Sequence, residues 1–365
     1  MTKVYVVGVA THEPSSAIRG SRLEEMVYRT ARAALDDAGV SRRQIDNVTI
    51  AACDEFDGRP ISSMLLSGPA GAYLVDEIKV TDDGAMGLCL GLSRIQSGDF
   101  DLGLVASWSK TSKTDVESIM NNRAEPFFTR PLGMNMSIAN GLFAQAVAEE
   151  FGVTEDEATT RVVDAYERAS ANSRGMNHSV PTTDEVRSSP FEATPLREGH
   201  NAPITDGAVC LVLASEQWLH RHPGHEALAR VAGVGWATDS YRLDRERLRS
   251  MSSARAAWDR ALADAGVSGS DLGAVEIDTP TSYHEAAYAR IFDIDGAALS
   301  PAGSTFAQHP LFCSGLVNAA EAILQAAGRA GPVQKAATRW TAAHSCHGFA
   351  QQGNVAMVFE GSHNG

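Results

Sequence analysis

Three stretches of the 365-residue sequence hold side chains that can move protons or attack a carbonyl carbon. In the first, His309-Pro310-Leu311 runs into Ser314-Gly315. Imidazole ionises near neutrality, so His309 suits both proton transfer and carbonyl polarisation. In the second, the apolar run Ala274-Val275-Glu276-Ile277 ends at Asp278, just before Thr279-Pro280-Thr281-Ser282. A carboxylate at the mouth of a buried pocket has its pKa raised by desolvation and becomes a usable general base. The other reading of Asp278 is an N-cap for the next helix. Tyr283 is either a proton donor or a packing residue, and His284 and Glu285 rank behind it. In the third stretch, His344, Cys346 and His347 crowd together. Cys346 either faces a site or is structural. Three potential ligands packed within four residues do not match the usual zinc spacing, so no metal is expected.

The remaining cysteines, Cys53, Cys89, Cys210 and Cys313, are widely spaced and form no CxxC pair. Free thiols in a reducing compartment follow, and with them a cytoplasmic location. Cys53 and Cys210 lie in apolar strands, and Cys89 and Cys313 read as small core residues. The net charge of −14 argues against nucleic acid as the main partner, because phosphate binding needs clustered Lys and Arg. No run approaches the roughly 20 apolar residues of a membrane span, so no membrane insertion is expected. The opening residues read as a first strand rather than a signal peptide.

The elements that must position these groups are announced by an internal repeat. Residues 34–50, ALDDAGVSRRQIDNVTI, recur as ALADAGVSGSDLGAVEI at 261–277, without a gap. Each copy reads as a helix end, a glycine stop, a polar turn and a strand. This predicts a duplicated α/β core, with one half at 1–110 and the other at 225–365. Between them, 111–202 reads as a helical insertion and 203–224 as a return to the first half. Within the insertion, 138–174 is strongly helical, with Thr154 as an N-cap. Residues 175–205 read as a long polar loop, and 203–215 as a buried strand.

With these parts in place the chain resembles the thiolase superfamily. Pro203-Ile204-Thr205-Asp206-Gly207-Ala208 is similar to that family's Asp-Gly-Ala signature. His309-Pro310-Leu311 with Ser314-Gly315 is similar to its Gly-His-Pro-Leu-Gly-Ala-Ser-Gly loop, with Gln308 in place of the first glycine. The style is that of the lipid-transfer, sterol-carrier-protein-x-like branch. The resemblance implies two five-stranded mixed sheets in a layered αβαβα sandwich with a helical loop-domain insertion. It implies acyl-CoA substrates, with coenzyme A entering as part of the substrate and no permanently bound cofactor. His309 would polarise a thioester carbonyl, and Asp278 would sit where the family orients water or a substrate oxygen. Cys346 and His347 would fall in the segment that carries a second catalytic cysteine. Gly84, Ser314, Gly315 and His344 would line the substrate site.

The departure lies at the family's nucleophile. Thiolases carry Cys-Ala-Ser-Gly at the start of a buried helix, and the ungapped match here is Thr81-Asp82-Asp83-Gly84. A thiol ionises near neutrality, and a threonine hydroxyl does not. Three readings follow. The first is a carbon–carbon lyase that cleaves a 3-hydroxyacyl-CoA by retro-aldol chemistry, with Asp278 or a tyrosine as base and no covalent intermediate. The second is a non-catalytic subunit of a larger acyl-CoA complex. The third is an acyltransferase using Thr81 or Cys346. The resemblance also implies a homodimer and a small OB-fold, zinc-ribbon partner protein.

Overall fold

The structure is a computed structural model. It describes residues 2–362 except 60, 62 and 337, and excludes the side chain of residue 63. Its main sheet is built from β1 (Val4–Thr11), β2 (Asn47–Ala51), β3 (Asp76–Val80) and β4 (Leu102–Ser109). A two-stranded ribbon follows, β5 (Phe191–Ala193) with β6 (Leu196–Arg197). The main sheet then continues through β7 (Gly207–Ser215), β8 (Ala229–Thr238), β9 (Leu272–Glu276), β10 (Trp340–His347) and β11 (Gly353–Gly361). Its order is β3-β2-β4-β7-β1-β8-β11-β10-β9. Within the main sheet the two halves are joined where β1 pairs with β8, at Tyr5–Arg230 and Val6–Ala229.

The repeat is visible in three dimensions. Helix α1 (Leu23–Asp37) stops at Gly39 and feeds β2. Its counterpart in the second half, Ser252–Ala265, stops at Gly266 and feeds β9. Both glycines have positive φ, at 66° and 71°, as a left-handed helix stop requires. Even the strand crossings repeat. A Cβ on Gly8 would lie 2.4 Å from the Ala34 carbonyl oxygen, and one on Gly233 would lie 2.2 Å from that of Ala261. Ala34 and Ala261 are equivalent positions of the two copies.

The second half differs from the expected five strands. Its fifth strand is reduced to a bridge, Leu299 with Val275. Ser300 has φ of 40° and precedes Pro301, so extended pairing stops there.

Helix α2 (Gly84–Gln96) and helix α7 (Ser314–Ala326) lie between the two sheet halves. One buried cluster joins Leu88, Leu92 and Ile95 of α2 and Leu316 and Ile323 of α7 to Leu211 of β7 and Met357 of β11. The insertion supplies α3 (Met136–Phe151) and α4 (Glu155–Ser170), and these pack on α6 (Ser282–Ile291). Taking α5 as Ser252–Ala265 completes the seven principal helices. Thr154 caps α4 as expected, accepting from Glu157 N at 3.1 Å. The stretch read as a long loop is more ordered than its composition suggested, with a helical turn at Thr183–Ser188 before the ribbon. No described helix is long and apolar enough to cross a membrane.

Candidate active site

One pocket collects the ends of several of these elements. Its wall includes Asp83, Asn140, Asp278, His284, His309, Cys346, His347 and Gln351, with Phe56, Met120, Met136, Leu311 and Phe312 supplying apolar surface.

Asp278 lies just past the end of β9 and is 2% exposed. It is not an N-cap: Thr281 caps α6, accepting from His284 N. Asp278 Oδ2 accepts from Cys346 N at 3.2 Å and faces Ser345 Oγ at 3.4 Å, whereas Oδ1 has no partner among the described residues. Burial pushes its pKa up to about 7, with the Cys346 N–H and the Ser345 hydroxyl pulling the other way.

His309 is held by its own backbone. Its N–H donates to Thr205 Oγ1 at 3.1 Å, and Thr205 N donates back to its carbonyl at 3.0 Å. The neighbouring Asp206 ties the first half to this strand, accepting from Ile18 N and from Ser112 N and Oγ. This explains the Asp-Gly-Ala sequence as a positioning device for His309. Burial lowers the imidazole to about 4, against the Ala202 backbone, so the ring is neutral at pH 7. Nδ1 has no partner.

The sequence-based expectations divide here. Asp278, His309, Cys346 and His347 converge on the pocket. His347 places Nε2 3.5 Å from Asp82 Oδ1. Tyr283 does not line the pocket: it is 1% exposed, packs edge-on to His200 at 5.5 Å, and burial pushes its hydroxyl up to about 12. His344 does not line it either. It shares a face of β10 with Cys346 but lies two residues deeper along the strand, where it pairs with Asn354 Oδ1 at 2.9 Å and packs against Tyr288. Gly84, Ser314 and Gly315 are packing positions rather than pocket wall. A Cβ on Gly84 would lie 2.7 Å from Leu316 Cβ. Ser314 is buried at the start of α7, its hydroxyl without a partner. Glu285 is consumed by Arg161 and Arg168, at 3.4 and 2.6 Å.

Thr81 requires a correction. It is exposed, in the bend before α2, and the residue that enters the pocket is Asp83. Asp83 is the true N-cap, accepting from Ala85 N at 2.7 Å. An aspartate directly before an apolar helix is the standard N-cap signal, and it was available in the sequence. Asp83 is 2% exposed. Burial pushes it up to about 7; His347 pulls it down and Asp278 pushes it further up.

Cys346 stands on the wall with its thiol raised well above the usual range, first by burial and then by the Asp278 carboxylate. Cys53, Cys89, Cys210 and Cys313 are buried. Among the described residues, no group of three His, Cys, Asp or Glu side chains could hold a metal ion.

Comparison with solved structures fits this architecture. The crystal structure of human mitochondrial 3-ketoacyl-CoA thiolase in complex with CoA superposes with a TM-score of 0.79, covering 99% of this chain and 98% of that chain at 16% identity. A second crystal structure of the same human enzyme gives the same score and identity, covering 99% of each chain. The chain has the thiolase fold.

Sequence relatives of this thiolase-fold chain are distant. It is 24% identical over 251 residues to an acetyl-CoA acetyltransferase of Methanocaldococcus jannaschii, covering 67% of this chain and 64% of the relative. It is 24% identical over 361 residues to an acetyl-CoA acetyltransferase of Methanothermobacter thermautotrophicus, covering 92% and 93%. Non-specific lipid-transfer protein-like 2 of Caenorhabditis elegans is 26% identical over 259 residues, covering 65% and 61%. The chain thus spans under two thirds of the first and third relatives and nearly all of the second. No family model matches it.

Proposed function

We propose that this chain is an acyl-CoA-processing enzyme that works by acid–base chemistry without a covalent acyl-enzyme, and that it cleaves a carbon–carbon bond of a 3-hydroxyacyl-CoA thioester. The observation that carries this reading is the buried Asp278 carboxylate, with Oδ1 unpartnered in a pocket it shares with His309. Its pKa of about 7 leaves a large ionised fraction at neutral pH and makes it a stronger base than an ordinary aspartate.

In this reading Asp278 takes the proton of the 3-hydroxyl. The bond between C2 and C3 breaks, C3 becomes a carbonyl, and the electron pair passes to the thioester enolate. In the tautomer whose N–H goes to Ala202, the bare Nδ1 of His309 is an acceptor and cannot donate to the thioester carbonyl, so its role differs from the carbonyl polarisation the resemblance implied, and the single proton of the 3-hydroxyl goes to Asp278. Gln351 accepts from the Tyr288 hydroxyl through Oε1, which leaves its amide N–H groups, with those of Asn140, as neutral donors for the enolate oxygen.

Acyl transfer through Cys346 is the second reading. The thiol's place on the pocket wall and the acetyltransferase relatives favour it. Against it stands the raised thiol, because the thiolate is the nucleophile. A subunit without chemistry is less well supported, since burying Asp83 and Asp278 costs stability that such a subunit would have no reason to bear. A homodimer belongs to the proposal. The edge strand β3 has one side unpaired, and Leu74 beside it is 89% exposed. The OB-fold partner remains part of the proposal as a requirement for full activity.

The test is mass spectrometry of the purified chain with 3-hydroxyacyl-CoA and 3-oxoacyl-CoA esters, with and without free CoA. Cleavage of a 3-hydroxyacyl-CoA without added CoA, at unchanged protein mass, is the expected result. A protein that gains the mass of an acyl group at Cys346 overturns it in favour of acyl transfer.

A further inference from the structure

The two buried carboxylates of the pocket converge on one hydroxyl. Ser345 Oγ lies 3.4 Å from Asp278 Oδ2, and its hydroxyl also favours the ionised form of Asp83. Gly315 lets the three groups meet: a Cβ there would lie 2.1 Å from Asp83 Oδ1 and 2.4 Å from Ser345 Oγ. A hydroxyl has one proton and can donate to only one of the two carboxylates. Both aspartates are 2% exposed and both line the pocket. Asp278 Oδ1 and the Nδ1 of His309, itself 6% exposed, have no protein partner there. Such buried, unpartnered atoms on a pocket wall are the mark of a site awaiting a polar ligand.

We propose that Asp83 and Asp278 form a one-proton pair: Asp278 accepts the substrate hydroxyl proton, Asp83 gives its proton to the enolate carbon, and Ser345 passes the proton back between them. The proposal rests on the cleavage reading above. Asp278 begins as carboxylate and Asp83 as carboxylic acid. The O–H proton moves to Asp278 as the C2–C3 bond breaks. The enolate then takes the Asp83 proton at C2, giving a carbonyl compound and the shortened acyl-CoA. Asp278 is now the acid and Asp83 the carboxylate. Ser345 accepts a proton from Asp278 while giving its own to Asp83, which restores the starting state without an outside acid or base.

Like charges in a dry site resist joint ionisation, as in other paired-carboxylate enzymes. Burial and mutual repulsion raise Asp83 in the direction the pair needs. The groups around the pair are His347, Asp82, His284, His309, Cys346 and Tyr288. Ser345 is a positioning and relay residue; Asp83 and Asp278 are the groups that meet the substrate.

The pair predicts a partial reaction. In D2O the full chain should exchange the C2 hydrogens of butyryl-CoA in the form of the pair whose proton has passed through Ser345 to Asp278, leaving Asp83 as the carboxylate, read by mass spectrometry. Asp83→Asn should lose at least about 100-fold of this exchange. Asp278→Asn should retain exchange and lose cleavage. Ser345→Ala should keep the first turnover and slow later ones about tenfold or more, with a shifted pH profile. Asn at 83 can still accept from Ala85 N, so thermal melting at or above that of the parent protein confirms folding. Exchange by Asp83→Asn at the parental rate, or no exchange by the parent, overturns the pair. If the parent cleaves a 3-hydroxyacyl-CoA while Asp83→Asn exchanges normally, only the pair falls. If the parent exchanges through Asp83 but cleaves nothing, only the cleavage reading falls.

Discussion

The backbone N–H of Cys346 donates to Asp278 Oδ2 across 3.2 Å, which sets a thiol and a carboxylate side by side on one pocket wall. The donor is main chain, so a substitution at 346 leaves it in place. Cys346→Ala is therefore expected to reduce cleavage without abolishing it. Asp278→Asn is expected to lower kcat by about 10²–10⁴-fold, the usual loss of a general base. Steady-state kinetics on the two variants checks the order. A larger loss at 346 than at 278 favours acyl transfer.

Thr81→Ala should change turnover by less than about twofold, because Thr81 is exposed and outside the pocket. A loss of activity comparable to that at Asp278 would restore Thr81 as a nucleophile.

Gly315→Ala should be poorly tolerated. Its Cβ would fall within 2.1 Å of Asp83 Oδ1 and 2.4 Å of Ser345 Oγ. Overpacking of this kind costs about 1–3 kcal/mol. Chemical denaturation should show that loss, together with reduced activity from displaced carboxylates.

Stability should fall between pH 6.5 and 8. Asp57, Asp83 and Asp278 are raised to about 7 and Glu276 to about 8, each mainly by burial. A raised carboxyl keeps its proton in the folded state after the unfolded chain has lost it. Folding therefore weakens as pH rises from the unfolded value through the folded one. Buried His284, His309 and His344 are lowered to about 3, 4 and 4 and act oppositely, but only below their unfolded pKa of about 6.5. Above that pH the carboxyls act without them. Melting temperature measured across pH 6.5–8 should decline, and Asp83→Asn should flatten the decline.

Light scattering should give a dimer. Replacing Leu74, 89% exposed beside the β3 edge, by Asp should shift the mass toward the monomer while leaving the fold intact by circular dichroism.

Much of this was legible in the chain itself. The duplicated core was announced by the repeat at 34–50 and 261–277, because helix stops and buried strands depend on local glycine and apolar spacing. The capping role of Thr154 was local too. Asp278 and His309 could be picked out because their residue types sit at strand and loop ends. Tyr283 and His344 looked equally eligible, and only packing separated them. His344 and Cys346 share one face of β10, but Cys346 lies nearer the strand end that opens on the pocket, while His344, two residues deeper, is buried against Tyr288 and Asn354. The fifth strand of the second half was lost to one positive φ and a proline.

The sequence by itself determined the α/β class, the duplication and which residue types could do chemistry, since those follow from composition and short-range pattern. Only the tertiary structure decided which residue before α2 enters the pocket. Thr81 and Asp83 are two residues apart, and the choice depended on where the helix begins and which side chain caps it. The meeting of Asp83 with Asp278, 195 positions along the chain, depended on the close approach at Gly315. A buried carboxylate acquires its proton affinity from such neighbours and from lost water, and neither is written in any single stretch of sequence.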